Sequence, residues 1–201
     1  MLFFLLACSD HFGKTTESVG PMTDVRVDIE NGNVVLSGGL SGVGTLKWDW
    51  QGPVSPSHRL SDGVLSITAS CPPLLHCSSN MSLDLASNLP VSIKLGEGSV
   101  DVSHMTRSLQ VQVEKANVRL TDLRSPKVRV NAGWGEVYVQ LKEVPERVDI
   151  DVVVGNIVLE LPYAEYNLGQ DSEKSKSGAQ KGGIPIRMHT SSGEARLKVV
   201  N

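Results

Sequence analysis

The sequence predicts an all-β fold, a parallel β-helix-like solenoid with coils of about 19 residues. Three observations point there. An apolar–polar alternation, a small-residue corner and a second alternation recur along the chain. The recurrence keeps a nearly constant period, and no stretch shows a helical one. Composition agrees: 26 valines stand against nine aromatic residues, and β-branched side chains suit a pleated, half-buried surface.

The clearest copy has Val91, Ile93 and Leu95, a corner at Gly98, then Val100 and Val102. It returns as Leu109, Val111, Val113, Ala116, Val118 and Leu120, as Val128, Val130, Gly135, Val137 and Val139, and as Val148, Ile150, Val152, Gly155, Ile157 and Leu159. First strands begin at Val91, Leu109, Val128 and Val148, at spacings of 18, 19 and 20, and the corners keep those spacings. Stacked coils need nearly equal lengths, so the period favours parallel coils. An antiparallel sandwich or roll is the alternative. The last copy, with Ile186, Met188 and Leu197, has its corner at Gly193, 38 residues after Gly155 and close to two periods. One degraded copy, Tyr163 to Leu168, is read between them. A loop from Gly169 to Gly183 follows, polar, charged and rich in Gly and Ser, a composition that buries too little to fold.

Folded sequence begins near Thr23. Val25, Val27 and Ile29, the Asn31–Gly32 corner, and Val34 and Leu36 have the same strand–glycine–strand form, although Asn–Gly is also a hairpin signal. Thr45–Trp50, Val64–Thr68 and Met81–Leu85 are further alternating segments, less evenly spaced. We therefore expect one β-repeat domain over 23–201, irregular over 23–85 and regular over 86–201, with a polar tether over 9–22.

Residues 1–8 have the look of a truncated lipoprotein signal segment. Leu5, Leu6, Ala7 and Cys8 resemble the lipobox of bacterial lipoproteins. The resemblance implies a diacylglyceryl group on the Cys8 thiol and anchoring in the membrane, each buried CH₂ contributing about 0.8 kcal/mol. Ser9 after that cysteine favours the outer membrane. The other reading is an apolar tail with a free thiol. Cys71 and Cys77 close a short loop, in an oxidising compartment most simply as a disulfide. Free thiols, or a metal site of Cys71, His76 and Cys77, are the alternatives. The metal set has no fourth ligand nearby and departs from the usual spacing.

A net charge of −3 and a pI near 5.9 give no basic footprint for nucleic acid. No run of 18 apolar residues would carry a helix across a membrane. Phosphate-cradling loops, nucleophile elbows and dinucleotide fingerprints are absent from the sequence, and no cofactor is expected. His11, His58, His76, His104 and His189 are scattered singly, a pattern of solvated side chains rather than ligands. Gly133, Trp134, Gly135 and Glu136 read as a Trp packed over a corner, or as a sugar-stacking corner. Trp48 and Trp50 share one strand face, as core or end-cap packing or as a ligand platform. Asp149 and Asp151 form a solvated strand face, or a carboxylate pair or weak calcium site.

Alignment of the corners makes the register specific. It sets Glu97 beside Lys115, Asp101 beside Arg119 and Arg129 beside Asp149, oppositely charged neighbours about 4.8 Å apart.

The series of Gly-x-Val-x-Val corners, Val25 to Val34, Leu159–Pro162 and the closing Gly193–Leu197 resembles the bacterial putative-adhesin family of envelope β-repeat proteins, which has no assigned biochemical activity. The resemblance implies a parallel β-helix-like fold. The expected function is a non-enzymatic cell-envelope lipoprotein, an adhesin-like binding module. Its partners would be the membrane, through lipid, and an unidentified envelope protein or glycan. A purely structural envelope spacer is the second reading. A β-helix polysaccharide lyase or hydrolase is the third. It would need carboxylates converging with Lys or Arg in a groove walled by long loops, and here acidic residues alternate with basic ones on short coils.

Overall fold

The computed structural model describes residues 12–39, 43–72, 76–168 and 183–200. These residues hold fifteen strands joined in one sheet, and no helix. In chain order they are β1 Phe12–Val19, β2 Asp24–Gly39, β3 Gly44–Gln51, β4 Ser55–Ser61, β5 Val64–Ser70, β6 Ser78–Ala86, β7 Val91–Ser103 and β8 Leu109–Leu123. There follow β9 Lys127–Trp134, β10 Val137–Leu141, β11 Arg147–Val154, β12 Ile157–Pro162, β13 Tyr166–Leu168, β14 Ile184–Ser192 and β15 Ala195–Val200.

The pairing runs in two rows that share three long strands. The first row is β4, β5, the front halves of β2, β7 and β8, then β9, β11, β14 and β13. The second is β1, β3, β6, the back halves of β2, β7 and β8, then β10, β12 and β15. Every neighbour is parallel except in the pairs β1–β3, β3–β6 and β4–β5. Val91 pairs with Leu109, Leu109 with Val128 and Val128 with Val148. Val100 pairs with Val118, Val118 with Val137 and Val137 with Ile157. The front and back halves of one repeat do not pair with each other, so the antiparallel alternative fails over the regular repeats.

The register is the expected one: Glu97 lies beside Lys115, Asp101 beside Arg119 and Arg129 beside Asp149. Among the described residues, none of these three pairs forms an ion pair. The contacts go elsewhere. Arg119 lies over the Tyr138 ring, 5.4 Å from its centre, and Arg147 takes Asp149 at 2.6 Å. Lys94 and Asp28, lateral neighbours as well, meet at 3.6 Å.

Three expectations need correction. The tether assigned to 9–22 contains β1, whose eight residues pair antiparallel with β3. Gly13 lies flat against the Trp50 ring, where a Cβ would fall 1.9 Å from a ring carbon. The interval of 38 residues before Gly193 is one step of the stack. Ile186 pairs directly with Val148, and Ala195 with Ile157. The supposed degraded copy is therefore not a layer; its only strand, β13, pairs on the far side of β14. That stretch lacks the apolar alternation needed to fill a core layer, so the chain returns to set Ile186 against Val148. Gly183 is the one residue of the expected loop among the described residues; the rest of it lies outside them. The irregular stretch before residue 86 contains one regular repeat, since β2 matches β7 from Val25 to Ser37.

Alternate residues of both rows fill a single core. Val25, Ile93, Val111, Val130 and Ile150 from the first row are at most 1% exposed, as are Leu36, Val102, Leu120, Val139 and Leu159 from the second. Each such side chain stabilises by roughly 1.5–3 kcal/mol relative to exposure.

Candidate functional site

The corner between the rows is built for stacking. Gly32, Gly98, Gly135, Gly155 and Gly193 have φ between 137° and 146°. A Cβ on Gly98 would fall 1.7 Å from the Gly32 carbonyl oxygen. The next residue in each repeat forms a polar ladder. Asn117 Oδ1 accepts the Glu136 N–H, and Asn156 Oδ1 accepts the Glu194 N–H, both at 2.9 Å. Asn80 Oδ1 accepts from the Asn33 N–H and amide, and Ser99 donates to Asn33 Oδ1. The ladder satisfies backbone donors that the turning chain leaves unpaired, so its amides are structural.

Cys71 and Cys77 form a disulfide with their Cα atoms 6.0 Å apart. It closes the loop between β5 and β6, where later repeats have their glycine corner. Glu30 Oε2 accepts the Cys71 N–H at 2.6 Å. The thiols are consumed in that bond, and among the described residues no group of three His, Cys, Asp or Glu could hold a metal ion. Cys8 and His11 lie outside the described residues.

The remaining candidates separate. Trp48 is buried and its indole N–H donates to the Ser79 hydroxyl, while Trp50 packs against the core edge. Neither is a ligand platform. Trp134 is 59% exposed at its corner, beside Lys115 and Val154. His58 lies 3.3 Å from Glu17 and His104 3.9 Å from Asp122.

Asp149 and Asp151 both face a shallow groove of about 530 Å³ across the outer surface of the first row. Lateral stacking sets Ser92, Gln110, Arg129 and Asp149 in one line and Gln112, Asn131 and Asp151 in the next. Arg147 binds Asp149 through two nitrogens, at 2.6 and 3.2 Å, from two positions earlier on the same strand face. That bond raises the guanidinium pKa further above its ordinary value. Lys127, at the rim, is 3.3 Å from Glu146. Arg129 is left in the groove with no hydrogen bond or ion pair among the described residues. The repeat register sets it beside Asp149, but Arg147, on the same face of the same strand as Asp149, takes that carboxylate.

The outer surface of the second row carries a different cluster. Glu160 accepts from the Tyr138 hydroxyl at 2.8 Å, the Gln140 amide at 3.1 Å and the Lys198 ammonium at 3.1 Å. The Tyr138 bond, then that of Lys198, holds the carboxyl below its usual range. Burial, and then Glu160, raises the Tyr138 phenol. A carboxylate so fully satisfied is a poor proton acceptor.

No protein-family model matches the chain, and no curated protein matches it. Among solved structures it is similar to a putative cell adhesion protein from Clostridium sporogenes, at a TM-score of 0.54 and 15% identity, covering 94% of this chain and all of the other. It is also similar to a putative adhesin from Bacteroides fragilis, at a TM-score of 0.41 and 14% identity, covering 96% of this chain and 99% of the other. The Clostridium likeness shows a shared fold; identity this low carries no activity across.

Proposed function

We propose that this chain is a non-enzymatic binding module of the bacterial cell envelope, built as a parallel β-helix and anchored in the outer membrane through lipid on Cys8. Parallel registers one repeat apart support the helix. The Cys71–Cys77 disulfide fits an exported protein. The solved protein with the shared fold carries the name of a putative cell adhesion protein.

The observation that carries the binding reading is Arg129, which lines the first-row groove and has no hydrogen bond or ion pair among the described residues. Asp149 and Glu160, two partly enclosed outer carboxylates, are each held by donors, which favours recognition over acid–base chemistry. The test is retention of the purified protein on isolated envelope fractions. Saturable retention that falls with Arg129→Glu is the expected result. No saturable retention, or retention indifferent to that substitution, overturns the reading. Lipidation has its own test: Cys8→Ser should release the protein from membranes, and an unmodified mature N-terminus by mass spectrometry overturns the anchor.

A further inference from the structure

We propose that the first-row groove binds a carboxylated saccharide, with Arg129 as the anchor for the carboxylate; this rests on the binding-module reading above. The argument begins with charge. Lys127 and Arg147 have their own acidic partners, so of these three groove cations Arg129 is the one with no ion pair among the described residues. A guanidinium carried on a strand, with its own donors unspent, presents two parallel N–H groups, the geometry that fits a carboxylate.

One position along the same strand face, Asn131 lies beside Asp151, and Gln110 is the lateral neighbour of Arg129. These groups accept from and donate to hydroxyls. An anion site bordered by amides, by Asp149, which Arg147 already holds, and by Asp151 fits a ligand with a single negative charge per unit among several hydroxyls. A densely charged sulfate or phosphate polymer would bring further negative charges against Asp151. The groove has no aromatic lining, so a neutral sugar has no ring to stack on.

A peptide fits less well. Extended peptides dock by adding a strand to a sheet edge, and this groove lies on a sheet face whose backbone is already paired on both sides. Strand neighbours here step by about 4.8 Å, the order of one sugar ring, so a linear saccharide laid across the strands would meet equivalent positions repeatedly.

The test uses the full chain with four probes: oligogalacturonate, sialyllactose, heparin and polyglutamate. Expected are salt-sensitive binding of oligogalacturonate or sialyllactose, a loss of about tenfold with Arg129→Gln, and a smaller loss with Arg129→Lys, which keeps charge but not the paired donors. The two saccharides distinguish a uronic acid polymer from a terminal acidic sugar. Asp151→Asn should improve heparin binding. Unchanged thermal melting of each variant excludes a folding effect. Equal or tighter binding of polyglutamate, or saccharide binding untouched by Arg129→Gln, overturns the proposal. If envelope retention depends on Arg129 but neither saccharide competes with it, this proposal fails while the binding-module reading stands. If there is no retention at all, the reading itself fails.

Discussion

The Cβ that Gly155 lacks would lie 1.8 Å from the carbonyl oxygen of Gly135, its neighbour in the corner column. Gly155 also has a φ of 144°, which side chains rarely adopt. Neither obstacle can relax by rotating a side chain, because both belong to the backbone. Gly155→Ala should therefore destabilise the domain by about 3 kcal/mol. Ala116 occupies the same column between Gly98 and Gly135 but does not have a positive φ. Ala116→Gly should cost no more than about 1 kcal/mol. Urea denaturation of both variants is the measurement, and equal losses would contradict the stacked-corner account.

Asn156 joins three repeats, accepting the Glu194 N–H and donating to Glu136 Oε1 at 3.2 Å. Its surroundings are exposed, so water replaces what a truncation removes. Asn156→Ala should cost about 1 kcal/mol. Asn156→Asp keeps the acceptor for Glu194 but sets a carboxylate against Glu136, so it should regain stability as the pH falls below the carboxylate range. A loss that does not change between pH 7 and pH 4 would count against the ladder.

The repeats show how far sequence reading reaches. Counting from corner to corner fixed the lateral partners, because side chains alternate with period two and a slipped register would turn the core outward. Three things were not legible. β1 has only Val19 buried, so no alternation announces it; the strand exists because β3 offers an edge and Gly13 lets Trp50 lie close. The interval from Gly155 to Gly193 counts residues, whereas stacking counts layers, and a polar excursion adds residues without a layer. The Arg129–Asp149 pair failed because Arg147, on the same face of the same strand, reaches Asp149 first. That Arg129 faces the groove with no ion pair among the described residues is a consequence of that competition, which is set by side-chain reach and not by register.

The Cys71–Cys77 bond spans six positions, and in the chain-entropy account a loop this short contributes about 2 kcal/mol. Pro72 already restricts the unfolded loop, which lowers that figure. Reduction should shift the urea midpoint modestly and leave the domain folded. Peptide mapping without reductant should recover one linked peptide. Full alkylation of both thiols before reduction would show that the bond is not made.

The Tyr138–Glu160 contact predicts stability falling at both ends of the pH scale. Glu160 is held below its ordinary value, first by the Tyr138 hydroxyl and then by Lys198. A depressed carboxyl stabilises the fold above its unfolded value, near 4.3, and the contribution is lost as pH falls through the folded value. Tyr138 is raised from 10.0, by burial and then by Glu160. Its contribution is complete below the unfolded value and is lost as pH rises through the folded one. Glu160→Gln should flatten the acid limb, and Tyr138→Phe the alkaline limb, at a cost near neutrality of about 1 kcal/mol for the hydrogen bond. Glu194 is also held low, by the exposed Arg196, and it adds to the acid limb. Salt screens that exposed pair more than the half-buried Glu160 contact, so the Glu160→Gln difference should persist at high ionic strength. Acid unfolding curves of wild type and Glu160→Gln that superimpose in high salt would show that the contact contributes nothing to stability.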